Sequence, residues 1–114
     1  MIANELHHID ASIAACKDAI DACQACAAAD IRAATNLCAL INLDCADICT
    51  VTMNALARHS VHHGDFCAIC AHICRACAAA CAPHAEVHGH CRRCMLACEK
   101  CAAECIKHAK ERHI

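Results

Sequence analysis

The 114-residue sequence contains few of the residues that build sheets and turns: one phenylalanine, no tryptophan, no tyrosine, two glycines and one proline. Because aromatic and β-branched residues favour strands, their scarcity argues against a sheet protein. The scarcity of glycine and proline leaves room for only a few short turns. Alanine, the strongest helix former, is the commonest residue. The composition therefore predicts one all-α domain over residues 1–114.

Other shortages exclude classes of partner. Ten basic residues against twelve acidic ones leave no basic patch for nucleic acid, and the chain has no aromatic platforms on which bases could stack. We expect no membrane segment, because the apolar runs are shorter than the ~20 residues that span a bilayer. The first residues lack a basic stretch followed by an apolar one, so we expect no secretory signal and a cytoplasmic location.

Cysteine is the residue in excess, at sixteen of 114. A share above ~8–10% indicates a chain held together by disulfides or by metal. In a reducing cytosol, metal binding is favoured over disulfide pairing.

Turn signals divide the chain into four predicted helices, at about residues 4–28, 31–57, 66–81 and 85–110. Asp30 is expected to cap the second helix and Asp65 the third, because aspartate is a preferred N-cap residue. Pro83 is expected to end the third helix, and Gly89 to be a weak spot in the first turns of the fourth. Four helices with short connections predict an up-down-up-down four-helix bundle.

On the third and fourth helices the cysteines recur at alternating intervals of three and four residues, in two copies of the same five-cysteine ladder. The first two helices carry sparser versions of it. This interval places all members on one stripe of a helix, where a bundle normally has leucine or isoleucine. We therefore predict a cysteine-lined core. The predicted ligands are Cys16, Cys23, Cys26, Cys38, Cys45, Cys49, Cys67, Cys70, Cys74, Cys77, Cys81, Cys91, Cys94, Cys98, Cys101 and Cys105.

The same stripe contains a few residues without sulfur. The predicted inward positions of this kind are Ile9, Ser12 and Ala19 on the first helix, and Ile31, Thr35, Asn42, Thr52 and Leu56 on the second. No lysine, arginine, aspartate or glutamate falls on the inward positions between Ile9 and His108. Met53 and Met95 lie off this frame or at its margin, and we expect them to fill gaps in the packing.

The charge balance of such a core favours Cu(I). Soft thiolates select Cu(I), zinc and iron–sulfur clusters, and each cysteine loses one proton when it binds metal. About one Cu(I) per thiolate leaves the core neutral, whereas zinc held by four thiolates buries two uncompensated negative charges. Multiple Cu(I) ions are thus the expected cargo. A disulfide-stapled helical module and a zinc or iron–sulfur protein remain the alternatives.

Eleven histidines give a second signal. His84, His88 and His90 lie beside Pro83 and Gly89, at one end of the predicted bundle, and we consider them for metal handling. We call this end the mouth and expect ions to enter there. The opposite, closed end is expected to be plugged by Ile9, Leu56, Leu6, Val61 and Phe66. It also carries His7, His8, His59, His62, His63, His108 and His113, which we expect to be solvated except His108.

Three stretches, LDCADIC (43–49), CAICAHICRAC (67–77) and HGHCRRC (88–94), resemble the bacterial cytosolic copper storage proteins. The resemblance covers nearly the whole chain. It implies a four-helix bundle, a homotetramer, Cu(I) storage without turnover, and copper uptake at a histidine-bearing mouth. His88 and His90 occupy the matching place before Cys91. Copper donor or acceptor proteins are the further partners expected. Ala19, Thr35 and Asn42 stand where additional ligands could be, which implies a lower capacity.

Overall fold

The computed structural model describes the backbone of residues 2–109 and the side chains of residues 9–109. Within this range the chain forms α1 (Ile2–Arg32), α2 (Ala39–Ala57), α3 (His63–Cys81), a 3-10 turn (Ala82–His84) and α4 (Gly89–Ile106). These residues contain no strand. The predicted all-α class is confirmed.

Each helix packs against its two neighbours in a ring, α1 on α2, α2 on α3, α3 on α4 and α4 on α1. The bundle measures 47 × 19 × 17 Å. Successive helices joined by short connections run antiparallel, so this is the expected up-down-up-down arrangement.

Alanine flanks the cysteine stripe and sets the width of the bundle. Ala15, Ala22, Ala46, Ala71 and Ala102 are all buried between helices. Because the distance between packed helices depends on the side chains at the contact, small residues there let the axes approach closely. Short cysteine side chains from different helices can then meet at the bundle axis.

The connection between α1 and α2 differs from the prediction. α1 continues to Arg32 and α2 begins only at Ala39, whereas the sequence indicated a second helix from residue 31. Ile31 is therefore 62% exposed instead of inward, and Thr35 lies exposed in the connecting segment. Ala34 adopts a left-handed backbone conformation (φ 56°) that turns the chain there.

Asp30 holds this connection together from inside α1. Its carboxylate accepts hydrogen bonds from the backbone N–H groups of Leu37, Cys38 and Ala39 at 2.9–3.1 Å, and from the Thr35 hydroxyl. The side chain thus caps α2 across the turn. The prediction that Asp30 is the N-cap residue of that helix is wrong, because Asp30 lies within α1 and Cys38 is the N-cap residue. The Thr35 hydroxyl and these N–H groups lower the pKa of Asp30 to about 2.

The other two helices also start at different residues from those expected. α3 begins at His63, so Asp65 lies in its first turn and does not cap it. α3 ends at Cys81, before Pro83, as predicted. α4 begins at Gly89 because residues 82–84 form a 3-10 turn and His88 is extended, so Gly89 starts the helix instead of weakening it.

One stretch, His63–His84, is long and apolar enough to cross a membrane by length and composition, contrary to our expectation from apolar runs. Its hydropathy comes largely from the cysteines and alanines of α3, and the five cysteines are completely buried in the bundle. A core helix passes the same test, so this stretch is weak evidence for a membrane segment.

We predict that Asp30→Ala lowers the free energy of unfolding by about 2 kcal/mol, because the buried N–H groups at the start of α2 lose their acceptor. The pKa of Asp30 falls from 3.8 to about 2 on folding, so its contribution is complete above pH ~4 and is lost as the pH falls through 2. Chemical denaturation measures both effects. Asp47→Asn, at an exposed α2 position, is the control, and an equal loss there would contradict the prediction.

Candidate metal centre

All sixteen cysteines are buried, and all are free thiols. Fifteen have no exposed surface, and Cys38 is 4% exposed. The shortest sulfur–sulfur contact, Cys26 to Cys38, is 3.5 Å, whereas a disulfide bond is about 2.05 Å long. The sulfurs are therefore neighbours without being bonded, and the structure does not support the disulfide-stapled alternative.

The sulfurs gather in groups whose members lie within 4.8 Å of one another. The three inner groups have four members each: Cys16, Cys70, Cys101 and Cys105; Cys49, Cys70, Cys74 and Cys101; and Cys23, Cys45, Cys77 and Cys98. Each of these inner groups takes its members from at least three helices. Cys70 and Cys101 belong to two groups each, so these are overlapping parts of one array and not separate sites.

Towards the mouth the groups have three members: Cys26, Cys81 and Cys94, and then Cys26, Cys38 and Cys91. Contacts join the groups along the bundle axis, for example Cys23 to Cys94 at 3.7 Å and Cys45 to Cys74 at 3.6 Å. Cys67 belongs to none of the groups and is completely buried near the closed end. The result is a continuous column of sulfur, which we call the sulfur column.

The buried polar side chains carry little charge. They are Ser12, Asp30, Asn42, Thr52, His63 and His108. No lysine or arginine is buried among the described side chains, as the inward frame predicted. Asp30 is the buried acid that this frame missed, but its carboxylate is engaged by the start of α2. Among the side chains that the structure describes, the column therefore has no buried lysine or arginine that could balance thiolates.

Burial raises the pKa of the mouth thiols Cys26 and Cys91, that of Cys91 to about 11. The cause is the loss of water around a group that would otherwise become an anion. These thiols are therefore protonated at neutral pH. A metal ion that binds them has to displace their protons and supply the positive charge that the protein lacks.

Of the three histidines considered for metal handling, His90 lies closest to the sulfur column. Its Nδ1 atom is 3.4 Å from Cys26 Sγ and 3.5 Å from Cys91 Sγ. The His88 ring is 5.3 Å from the His90 ring, centroid to centroid. In the described range, the His84 side chain makes no hydrogen bond or ring contact. The structure thus brings His90, with His88 beside it, to the outermost cysteines.

The closed end differs from the mouth. Ile9 and Leu56 are buried there, as expected, whereas Val61 is half exposed and Phe66 is partly buried. Leu6, His7, His8 and His113 lie outside the described side chains. His59 and His62 are exposed, as expected.

His63 is buried, contrary to our prediction, and packs edge-on against the equally buried His108 with ring centroids 5.9 Å apart. Its position could have been found from the sequence, because it precedes Cys67 by four residues and so continues the cysteine stripe. His108 continues the stripe in the same way, three residues after Cys105.

Two further inward predictions and the two methionines can be compared with the structure. Ala19 is buried on the α1 stripe, and Asn42 is buried among the sulfurs of the column. Met53 and Met95 are partly buried and pack against the core, as expected of gap-filling residues.

Known proteins share both the sequence and the architecture. A sequence model of the copper storage protein family (Csp) matches residues 3–110. An uncharacterized cysteine-rich protein of Bacillus subtilis, YhjQ, is 35% identical over 89 residues, which are 75% of this chain and 81% of that protein.

Two solved structures extend the similarity to the fold. Apo copper storage protein 3 from Bacillus subtilis has a TM-score of 0.81 and 36% identity, covering 88% of this chain and 97% of its own. A cytosolic copper storage protein from Streptomyces lividans with five coppers has a TM-score of 0.88 and 32% identity, covering 97% of this chain and 99% of its own. The buried sulfur column, the four-helix bundle and these matches agree, and the chain belongs to the copper storage protein family.

Proposed function

We propose that the protein stores multiple Cu(I) ions on the sixteen thiolates of the sulfur column and catalyses no reaction. The observation that carries the proposal is the continuity of the column. Sulfurs from all four helices follow one another at 3.6–4.0 Å contacts from Cys94 to Cys105. The group of Cys26, Cys81 and Cys94, whose sulfurs lie within 4.8 Å of one another, links this path to the 3.5 Å contact of Cys26 with Cys38. Soft, monovalent Cu(I) suits thiolates and balances one negative charge for each ion bound. The copper-bound relative from Streptomyces lividans supports this assignment.

The four-cysteine groups make zinc the alternative metal to consider. A structural zinc ion needs four ligands of its own in a tetrahedron, whereas Cys70 and Cys101 are each shared between two groups. Each four-thiolate zinc site would also bury a charge of −2, and no lysine or arginine among the described residues is buried to compensate it. Cu(I), which bridging thiolates can share, fits the overlapping groups better.

The histidines at the mouth are proposed to hand copper to the column. His90 is positioned for this role because its ring nitrogen contacts both Cys26 and Cys91. His88 stacks beside it, and His84 lies on the same rim. An imidazole can bind a metal ion without losing a proton, so these residues can take up Cu(I) before a thiol is deprotonated.

The location, oligomeric state and partners that we propose for the protein are based on its relatives. We place it in the cytoplasm, as the Streptomyces lividans protein is described as cytosolic. A homotetramer is proposed from the family resemblance, and α2 offers apolar side chains for it: Leu40 is 70% exposed and Val51 43%. Leu37, Ile41 and Ile48 instead pack partly against the core. Copper donor and acceptor proteins are the remaining partners proposed.

Anaerobic titration of the reduced protein with Cu(I) against a competing chelator should give tight uptake of roughly one ion per thiolate. All sixteen thiols should react with a thiol reagent in the unfolded, metal-free protein. Uptake of only one or two ions would contradict storage. Parallel titration with zinc is the control, and tight uptake of about four zinc ions would instead favour the tetrahedral alternative.

Copper uptake is expected to release about one proton per ion, because the thiols at the mouth are protonated at neutral pH. The apparent affinity should therefore rise as the pH rises from neutral towards the raised pKa values of these thiols, about 11 for Cys91. Titration in weakly buffered solution with a pH indicator measures the protons. Uptake without proton release would mean that the thiols were already ionised.

Replacing His88 and His90 together by alanine should change the rates of copper loading and removal while leaving the capacity nearly unchanged, because the sixteen thiols remain. Stopped-flow mixing with a coloured Cu(I) chelator measures both rates. His72→Ala is the matched control, since His72 is exposed on α3. Rates equal to those of the unaltered protein would assign the mouth histidines no part in transfer.

A further inference from the structure

One side chain inside the sulfur column is neither a thiol nor a hydrocarbon: the carboxamide of Asn42, which has no exposed surface. Its Oδ1 atom accepts hydrogen bonds from the thiols of Cys77 at 3.1 Å, Cys94 at 3.4 Å and Cys81 at 3.7 Å. Its Nδ2 atom donates to Cys38 Sγ at 3.5 Å. The amide thus stands among four sulfurs, two from α3, one from α4 and one from the residue before α2.

Asn42 also interrupts the sulfur that α2 contributes. It lies on the inward stripe four residues after Cys38 and three before Cys45. Cys38 contacts Cys26 at 3.5 Å, in the group nearest the mouth, whereas Cys45 contacts Cys74 at 3.6 Å, in the interior. Along α2, the mouth and the interior are therefore separated by an amide.

Cu(I) prefers thiolate sulfur to an amide oxygen or nitrogen. An ion that moves inward along α2 meets a poor ligand at Asn42. The sulfur path continues only on the other side of the column, where Cys26, Cys81 and Cys94 lie within 4.8 Å of one another and Cys94 contacts Cys23 at 3.7 Å. At this level three sulfurs and an amide stand where each inner group has four sulfurs.

We propose that Asn42 divides the stored copper into two pools. The outer pool is held at the mouth by Cys26, Cys38 and Cys91, and the inner pool by the four-member groups behind Asn42. Transfer between the pools past the amide is the slow step in emptying the store. The inference rests on the proposed copper storage and adds to it an order of release.

Release from the fully loaded protein into excess bathocuproine disulfonate, followed anaerobically by absorbance, tests the division. The unaltered protein should release copper in two phases, the fast one holding ~3 ions, about one for each thiolate of the outer pool. Asn42→Cys supplies the missing sulfur, so its two phases should converge into one. Asn42→Met supplies a thioether sulfur without an added acidic proton, and should give the same convergence if the cysteine variant fails to fold.

Two matched variants separate sulfur supply from other effects. Thr52→Cys adds a thiol at another buried polar position of the α2 stripe, where the threonine hydroxyl donates to the Phe66 carbonyl at 3.4 Å near the closed end. Asn42→Leu keeps a side chain of similar size but removes the hydrogen bonds and adds no sulfur. Both variants should retain two phases. Convergence in either of them would overturn the inference.

Release in a single phase from the unaltered protein, or two unchanged phases in a folded Asn42→Cys or Asn42→Met, would also overturn it. The total uptake, measured before release, keeps this failure distinct from a failure of storage. A protein that binds roughly one ion per thiolate but releases all of them in one phase stores copper in one pool. A protein that binds only one or two ions does not store copper at all.

Discussion

The main constraint on this structure is electrostatic. Its densely packed, buried thiols can lose their protons only if positive charge compensates the thiolates that form. Sixteen buried cysteines and no buried lysine or arginine among the described residues leave that compensation to the cargo. As protonated thiols the cysteines pack as small, weakly polar side chains, so the empty bundle can form. As thiolates they need roughly one positive charge each, and monovalent copper provides it without the tetrahedral ligand set that zinc requires.

The two ends of the bundle have different roles because their side chains differ. At the closed end, Ile9, Leu56 and the His63–His108 pair are buried and cover the last sulfurs. At the mouth, the imidazole of His90 lies directly on two cysteine sulfurs. The turn next to it is fixed by the carboxylate of Asp30, which holds the start of α2. The same cysteine stripe is thus sealed at one end and accessible through polar side chains at the other.

Much of this architecture could be predicted because the pattern is regular. Intervals of three and four residues can only place the sixteen cysteines on one stripe of each helix, and all sixteen are buried as predicted. Helix ends were less predictable. α2 begins eight residues later than expected, because residues that would form a helix by local preference instead form a hydrogen-bonded turn around Asp30. For the same reason Ile31 and Thr35, which the sequence predicted to face inward, are exposed.

The sequence by itself determined the fold class, the sulfur stripe and its lack of balancing charge, because helical periodicity and composition act locally along the chain. Only the tertiary structure decided which sulfurs are neighbours, since that depends on how far each helix is displaced along the bundle axis. Packing therefore made Cys70 and Cys101 shared members of two groups. It also brought the amide of Asn42 to sulfurs of α3 and α4 and placed His63 against His108. These contacts join residues far apart in the chain, which no local pattern can specify.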